Sequence, residues 1–139
     1  MLRVDDGSMN PKEFARLAAR LMSCPAAPFH EAGVRGVVES ICAENGLRCE
    51  RDPFGNILVR LGNASAGRPL VLAAHMDHPG FEVVRSLGEA RWVAQFNGGV
   101  PDDYFREGTR LRLLPGSTAA TLGRRLGKEK QFEVHAASA

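Results

Sequence analysis

The chain has 139 residues, of which 44% are hydrophobic and 24% are charged, and its formal net charge is +2. This length suits one modest domain with a hydrophobic core, and the composition is typical of a globular protein. The near balance of 18 basic and 16 acidic residues gives no general electrostatic reason to expect binding to nucleic acid or to a membrane surface.

Targeting and redox signals in the sequence favour a cytoplasmic location. No apolar stretch approaches the roughly 18 residues that a membrane-spanning helix needs. Residues 1–7 are acidic and lack the hydrophobic core of a signal peptide. The three cysteines, Cys24, Cys42 and Cys49, show no CxxC spacing, and we expect them to be reduced.

Two helices are predicted in the first third of the chain. Asn10 and Pro11 suit the cap and the first turn of a helix, and apolar residues then recur at helical spacing. A proline-rich segment ends this helix. A second helix is predicted to begin near His30 or Glu31 and to end at Gly46.

A β-hairpin and a buried strand are predicted next. Residues 47–51 and 56–61 have the pattern of two strands, and residues 52–55 have the composition of a turn between them. The apolar run at residues 70–74 is short and bounded by turn signals, which predicts a buried strand that ends at His75. Open α/β sheets place their functional sites at the carboxyl ends of such strands.

The pattern changes near residues 78–80 to short strands separated by Gly and Pro turns. Short, closely spaced strands of this kind are typical of a small barrel or sandwich. The strands are predicted at residues 91–96, 109–114, 119–122 and 131–135. The sequence therefore predicts a mixed α/β fold in three parts, a loose leader at residues 1–9, an α/β part at 10–79 and an all-β part at 80–139.

A His-x-Asp pair, His75 and Asp77, follows the predicted buried strand. A neutral imidazole binds zinc through one nitrogen, and a nearby carboxylate can hold the other nitrogen and fix the tautomer. The pair points to a metal-dependent hydrolase. The alternative is a histidine whose hydrogen bonds are satisfied in a core.

Three segments, in this order, together resemble the tetrahedral aminopeptidase family of dinuclear-metal enzymes, which includes glutamyl and deblocking aminopeptidases and endoglucanase-M-like proteins. They are Pro-Ala-Ala-Pro-Phe-His-Glu at residues 25–31, Asp-Pro-Phe-Gly-Asn-Ile at 52–57, and Ala-Ala-His-Met-Asp-His-Pro-Gly-Phe at 73–81. The resemblance covers residues 10–115. It implies that residues 10–79 are the N-terminal part of a zinc-exopeptidase-like α/β catalytic domain and that 80–139 are an incomplete inserted β-barrel.

The resemblance also implies roles for individual residues. His75 matches a metal ligand of the family, and Asp77 matches the catalytic-site carboxylate that orients it. His78 stands where the family commonly has Glu; we expect it at the surface or beside the site, with a substrate-side or additional metal contact as alternatives. His30 and His135 are expected to be ordinary surface or loop residues.

The family's remaining ligands and its general base have no match in this chain. The complete site needs a bridging Asp, a Glu-Glu pair, another Asp and a late His, and it holds two divalent ions, zinc or cobalt. Asp102 and Asp103 fall in the all-β part, where a turn with solvated charges is expected. The expectation is therefore a truncated chain that alone neither holds metal tightly nor hydrolyses peptides. The full-length family acts on peptide N-termini and forms homo-oligomers.

Two other interpretations of the sequence stay open. Related zinc exopeptidases and deacylases share the His-x-Asp pair, so the hydrolase could belong to one of those groups. A non-catalytic binding or regulatory module could also keep the fold while lacking the site. In either case a truncated sheet would present unpaired strand edges, which invite pairing with another chain.

Overall fold

The computed structural model describes residues 10–62, 67–127 and 129–137, so the leader predicted at residues 1–9 lies outside the described residues. The contacts divide the chain into two units. Within the described residues, the first unit holds two helices and a two-stranded sheet, and the second holds a five-stranded sheet. This content confirms the predicted mixed α/β class.

The first unit, residues 10–26 and 30–77, begins with the two helices α1 (Pro11–Met22) and α2 (Ala32–Glu44). The Asn10 side chain accepts a hydrogen bond from the Lys12 backbone N–H at 2.9 Å, and this capping bond confirms the predicted start of α1. Gly46 follows α2 with φ +67°, a left-handed conformation that ends a helix and costs glycine little.

The hairpin of the first unit consists of β1 (Cys49–Arg51) and β2 (Ile57–Val59), which pair antiparallel and are shorter than predicted. Asp52 closes the turn between them. Its Oδ1 accepts hydrogen bonds from the backbone N–H groups of Phe54 at 2.9 Å and of Asn56 at 2.8 Å. The Asn56 side chain also donates to Asp52 Oδ2, and these bonds to the charged form hold the pKa of Asp52 below its usual value.

The prediction of a buried strand at residues 70–74 is wrong. The segment has no strand structure, and Leu70, Val71 and Leu72 are 88%, 75% and 89% exposed. An apolar run is buried as a strand only when neighbouring strands and helices cover its edges and both faces. None of the described residues pairs with this segment in a sheet, so local hydrophobicity alone does not make it a strand.

The second unit, residues 27–29 and 78–137 of the described chain, is an antiparallel sheet curled into a half-barrel. Its strands follow the order β3-β4-β7-β6-β5. They are β3 (Gly80–Gly88), β4 (Arg91–Asn97), β5 (Arg110–Leu113), β6 (Thr118–Arg125) and β7 (Gln131–Ala136). Four of them overlap the four strands predicted from residue 91 onwards, which confirms those predictions.

The core of the second unit lies on one face of this sheet. Its buried side chains come from the three central strands: Ala94, Phe96, Ala120, Leu122, Phe132 and Val134. Phe81 and Phe105 pack against this cluster from its edge. The Phe105 and Phe132 ring centroids are 4.9 Å apart, and the Phe81 and Phe132 rings meet edge to face at 5.7 Å. Edge-to-face and tilted contacts between aromatic rings are therefore part of this core.

Candidate functional site

His75 and Asp77 lie together in the irregular segment before β3. The distance from His75 Nδ1 to Asp77 Oδ1 is 3.0 Å, and Nδ1 is also 3.1 Å from the backbone carbonyl oxygen of Asp77. The two side chains are 83% and 33% exposed. Because the two residues are only two positions apart in sequence, this contact does not require packing against another helix or strand.

These contacts decide which ring nitrogen of His75 carries the hydrogen. A carbonyl oxygen and an ionised carboxylate oxygen can only accept hydrogen bonds, so Nδ1 must be the donor. In the neutral ring, Nε2 then carries the lone pair. That arrangement is the one in which a histidine binds a metal ion while a carboxylate holds its far side.

The other three histidines lie in other segments of the chain. His78 is exposed and lies at the start of the second unit. His30 is exposed and precedes α2. The His135 side chain lies in β7 and is 43% exposed.

The donors present fit one ligand position of a metal site and do not fit a complete site. A catalytic zinc ion normally takes three protein ligands and keeps one open position. Among the described residues, no group of three or more His, Cys, Asp or Glu side chains is placed to hold a metal ion. In such a site His75 and Asp77 would supply one coordinating nitrogen and its support, and no step of hydrolysis follows from them alone.

Asp102 and Asp103 lie in a short 3₁₀ turn (Asp102–Tyr104) between β4 and β5. Asp102 Oδ2 is 2.8 Å from Arg125 Nη1, and this partner holds the pKa of the Asp102 carboxyl below its usual value. The Asp102 side chain is 61% exposed. Both carboxylates of the turn are therefore exposed, and Asp102 is paired with Arg125.

A second polar cluster, which the sequence did not predict, surrounds Glu133 on β7. Arg124 Nε donates to Glu133 Oε1 at 2.9 Å, and His135 Nε2 lies 3.2 Å from Glu133 Oε2. The Glu133 side chain is 12% exposed. The alternation of β7 places Glu133 and His135 on the same face, but the approach of Arg124 depends on an irregularity in the β6–β7 register.

Acidification is expected to weaken the second unit through Glu133. Arg124 first, and His135 second, hold the pKa of Glu133 below its ordinary value of 4.5. A carboxyl whose pKa is lower in the folded state stabilises the fold above pH 4.5, and this contribution is lost as the pH falls through the folded pKa. The free energy of unfolding, measured with urea between pH 7 and pH 3, should fall as the pH falls. The Glu133→Gln variant should show a smaller fall. An equally steep acid dependence in Glu133→Gln would contradict this assignment.

No helix among the described residues is long and apolar enough to cross a membrane.

Comparison with known proteins relates part of the chain to a peptidase. Over 73 residues it is 34% identical to the cytosol non-specific dipeptidase of Escherichia coli (strain K12), and the match covers 50% of this chain and 15% of the dipeptidase. The chain thus spans only a small part of the length of this relative. No family model matches the chain, and no solved structure matches it. The similarity supports a relationship to peptidases in general.

Proposed function

We propose that this chain supplies one part of the metal centre of an exopeptidase, with His75 as a metal ligand and Asp77 as the carboxylate that orients it. The observation that carries the proposal is the 3.0 Å contact between His75 Nδ1 and Asp77 Oδ1, which leaves Nε2 as the coordinating atom. The 83% exposure of the His75 side chain allows a metal ion to approach. Similarity to a dipeptidase supports peptide bonds as the substrate class.

The bound metal, zinc or cobalt, would polarise a scissile carbonyl and activate water. The residues of this chain contribute the orientation of one ligand. Asp77 fixes the ring of His75 and the position of its hydrogen, which strengthens the imidazole as a ligand. The general base and the other ligands are not matched here, so the 139-residue chain is proposed to be inactive on its own.

The proposed exopeptidase could be an aminopeptidase or a dipeptidase, and these two differ in the length of the peptide substrate. Resemblance to tetrahedral aminopeptidases favours release of the N-terminal residue from longer peptides. The similarity to the Escherichia coli protein favours dipeptides.

Histidine NMR tests the site directly. The ¹⁵N shifts of the His75 ring should report a hydrogen on Nδ1. When zinc is titrated into the full chain, Nε2 of His75 should respond at lower zinc concentrations than any other histidine nitrogen. Asp77→Asn is expected to weaken this zinc response by roughly 10- to 100-fold, because the orienting carboxylate is lost. His30→Ala serves as the matched control, since it removes an exposed histidine that is expected to be an ordinary surface residue. The proposal would be contradicted if the ring nitrogens of another histidine responded to zinc at lower concentrations than Nε2 of His75.

A second candidate is a non-catalytic binding module, favoured by the absence of any three-donor cluster among the described residues. Rescue separates the two candidates. The full chain would be mixed with the Escherichia coli dipeptidase lacking its 73 aligned residues. Zinc-dependent hydrolysis with the wild-type chain and none with His75→Ala supports the split metal centre. No hydrolysis in either mixture favours the module, and release of N-terminal residues by the chain alone would contradict its proposed inactivity.

A further inference from the structure

Two cysteines of the first unit meet where helix α2 ends and strand β1 begins. The Leu47 backbone N–H donates to the Cys42 carbonyl oxygen at 2.9 Å, and the Gly46 N–H donates to the Ala43 carbonyl oxygen at 3.1 Å. These two bonds form a Schellman turn, which reverses the chain direction at the end of the helix. The chain then enters β1 at Cys49, and the Cys49 and Cys42 thiols are in hydrogen-bonding contact.

An ion pair next to the thiols supports the same alignment of helix and strand. Arg51 Nη2 donates to Glu39 Oε1 at 2.6 Å. Arg51 lies two residues after Cys49 and therefore on the same face of β1. Glu39 lies three residues before Cys42 and therefore on the same side of α2. The thiol pair and the ion pair are thus successive contacts between two antiparallel elements.

We propose that Cys42 and Cys49 form a redox modification site, which becomes an intramolecular disulfide by exchange with a low-molecular-weight disulfide of the glutathione class. All three cysteines of the chain are free thiols in the structure. Because the Cys42 and Cys49 sulfurs are already in contact, only a small adjustment brings them to the S–S bond length of about 2.05 Å. The disulfide would tie the end of α2 to the start of β1.

The two thiols differ in their access to an oxidant. Cys42 is 5% exposed, whereas Cys49 is half-buried. Burial first, and then the neighbouring Cys49 thiol and the Glu39 carboxylate, raise the pKa of the Cys42 thiol above its ordinary value. The thiolate is the attacking form of a cysteine. Cys49 is therefore the sulfur that attacks the oxidant, and Cys42 reacts second.

The exchange is balanced in two steps. The Cys49 thiolate attacks one sulfur of glutathione disulfide, forms a mixed disulfide and releases one glutathione thiolate. Cys42 then loses its proton and attacks the Cys49 sulfur, which releases the second glutathione. The two protein thiols together lose two electrons and two protons, and glutathione disulfide is reduced to two glutathione thiols.

The third cysteine, Cys24, is placed away from this pair. Its Sγ lies 3.4 Å from the position that a Cβ on Gly33 would occupy. Gly33 is the second residue of α2, and Cys42 follows nine residues later, about 14 Å along the helix axis. Cys24 therefore serves as a matched control within the same unit.

Peptide mapping of the full chain after equilibration in glutathione redox buffers tests the proposal. EDTA is present to remove zinc, so failure of the disulfide and failure of the zinc response at His75 are separate results. After free thiols are alkylated, trypsin cleaves at Arg48 between the two cysteines. The disulfide should therefore join residues 36–48 to residues 49–51 in one product, which dithiothreitol separates. In urea its equilibrium constant should fall by roughly tenfold or more, because folding holds the thiols in contact.

Serine variants test the partners and the order of reaction. Cys24→Ser should keep the joined product, and Cys42→Ser should stop at a mixed disulfide between Cys49 and glutathione. In Cys49→Ser, the mixed disulfide at Cys42 should form roughly tenfold more slowly, because the Cys42 thiol is buried and less often ionised. Equal rates in these two variants would contradict the order of attack.

The wild-type chain alone is enough to overturn the proposal, so the test does not depend on the folding of any variant. Absence of the joined product in oxidising buffer would do so. An equilibrium constant that is the same in urea and in native buffer would also do so, because the fold would then make no contribution. Disulfides of Cys24 that form as readily as the one between Cys42 and Cys49 would show that the contact does not select the partners.

Discussion

Replacing Phe132 by alanine is expected to lower the free energy of unfolding of the second unit by about 3–5 kcal/mol. Phe132 is 2% exposed and is among the largest fully buried side chains described. Its ring packs against Phe81 at 5.7 Å and against Phe105 at 4.9 Å between ring centroids. The Arg125 guanidinium carbon also lies 5.7 Å from its centroid. Removing the ring leaves a cavity near the start of β7, a strand with neighbours on both sides that restrict collapse.

Tryptophan fluorescence during urea unfolding measures this loss. Trp92 is the single tryptophan of the chain and lies in β4, so its emission reports on the second unit. Tyr104→Ala is the control, because Tyr104 belongs to the same unit and is 70% exposed. The control should change the free energy of unfolding by less than about 0.5 kcal/mol. A loss below about 1 kcal/mol in Phe132→Ala would contradict the assignment of this core.

The elements that could be predicted from the sequence are those whose cause is local. Asn10 accepts from Lys12 two residues away, and Asp52 accepts from Phe54 and Asn56 within one turn. Such contacts depend only on residues close in sequence, so the start of α1 and the hairpin could be predicted from them. The strands β4 to β7 were also predictable, because short apolar runs there are separated by Gly and Pro turns.

The run at residues 70–74 shows where this reasoning fails. Its apolar pattern is as strong as that of any strand in the chain, yet Leu72 is 89% exposed. Burial is a property of the neighbours a strand acquires, and the pattern of one segment contains no information on whether they are present. The same run therefore predicts a buried strand from sequence, whereas the structure leaves it exposed and outside both sheets.

The polar clusters also differ in whether their contacts are local or depend on strand pairing. His75 and Asp77 are two residues apart, so their contact needed only local geometry. In the cluster around Glu133 on β7, Arg124 reaches Glu133 from β6, and the irregular register between those strands permits this contact. That register depends on pairing between residues about ten positions apart, which no single motif specifies. The proposed role of His75 as a metal ligand rests on resemblance and on tautomer geometry, and the zinc titration is its test.

Replacing Gly98 by alanine is expected to destabilise the second unit by about 2–4 kcal/mol, from backbone strain and overpacking together. Gly98 follows β4 and has φ +135°, a conformation that residues with a side chain rarely adopt. A Cβ built there would lie 2.7 Å from Pro79 Cβ and 3.0 Å from Pro79 Cα. The proline ring is rigid and joins the backbone just before β3, so it cannot rotate away as a long side chain would.

The neighbouring glycine supplies the control for this prediction. Gly99 has no positive φ, and a Cβ built on it meets no atom within 4 Å. Gly99→Ala should therefore leave the Trp92 unfolding curve within about 0.5 kcal/mol of wild type, or stabilise it slightly by restricting the unfolded chain. Because the two substitutions add the same methyl group at adjacent positions, their difference isolates the contact with Pro79 and the strained φ. Equal effects of Gly98→Ala and Gly99→Ala would show that the approach of Pro79 to Gly98 does not hold β3 and β4 at that end of the sheet.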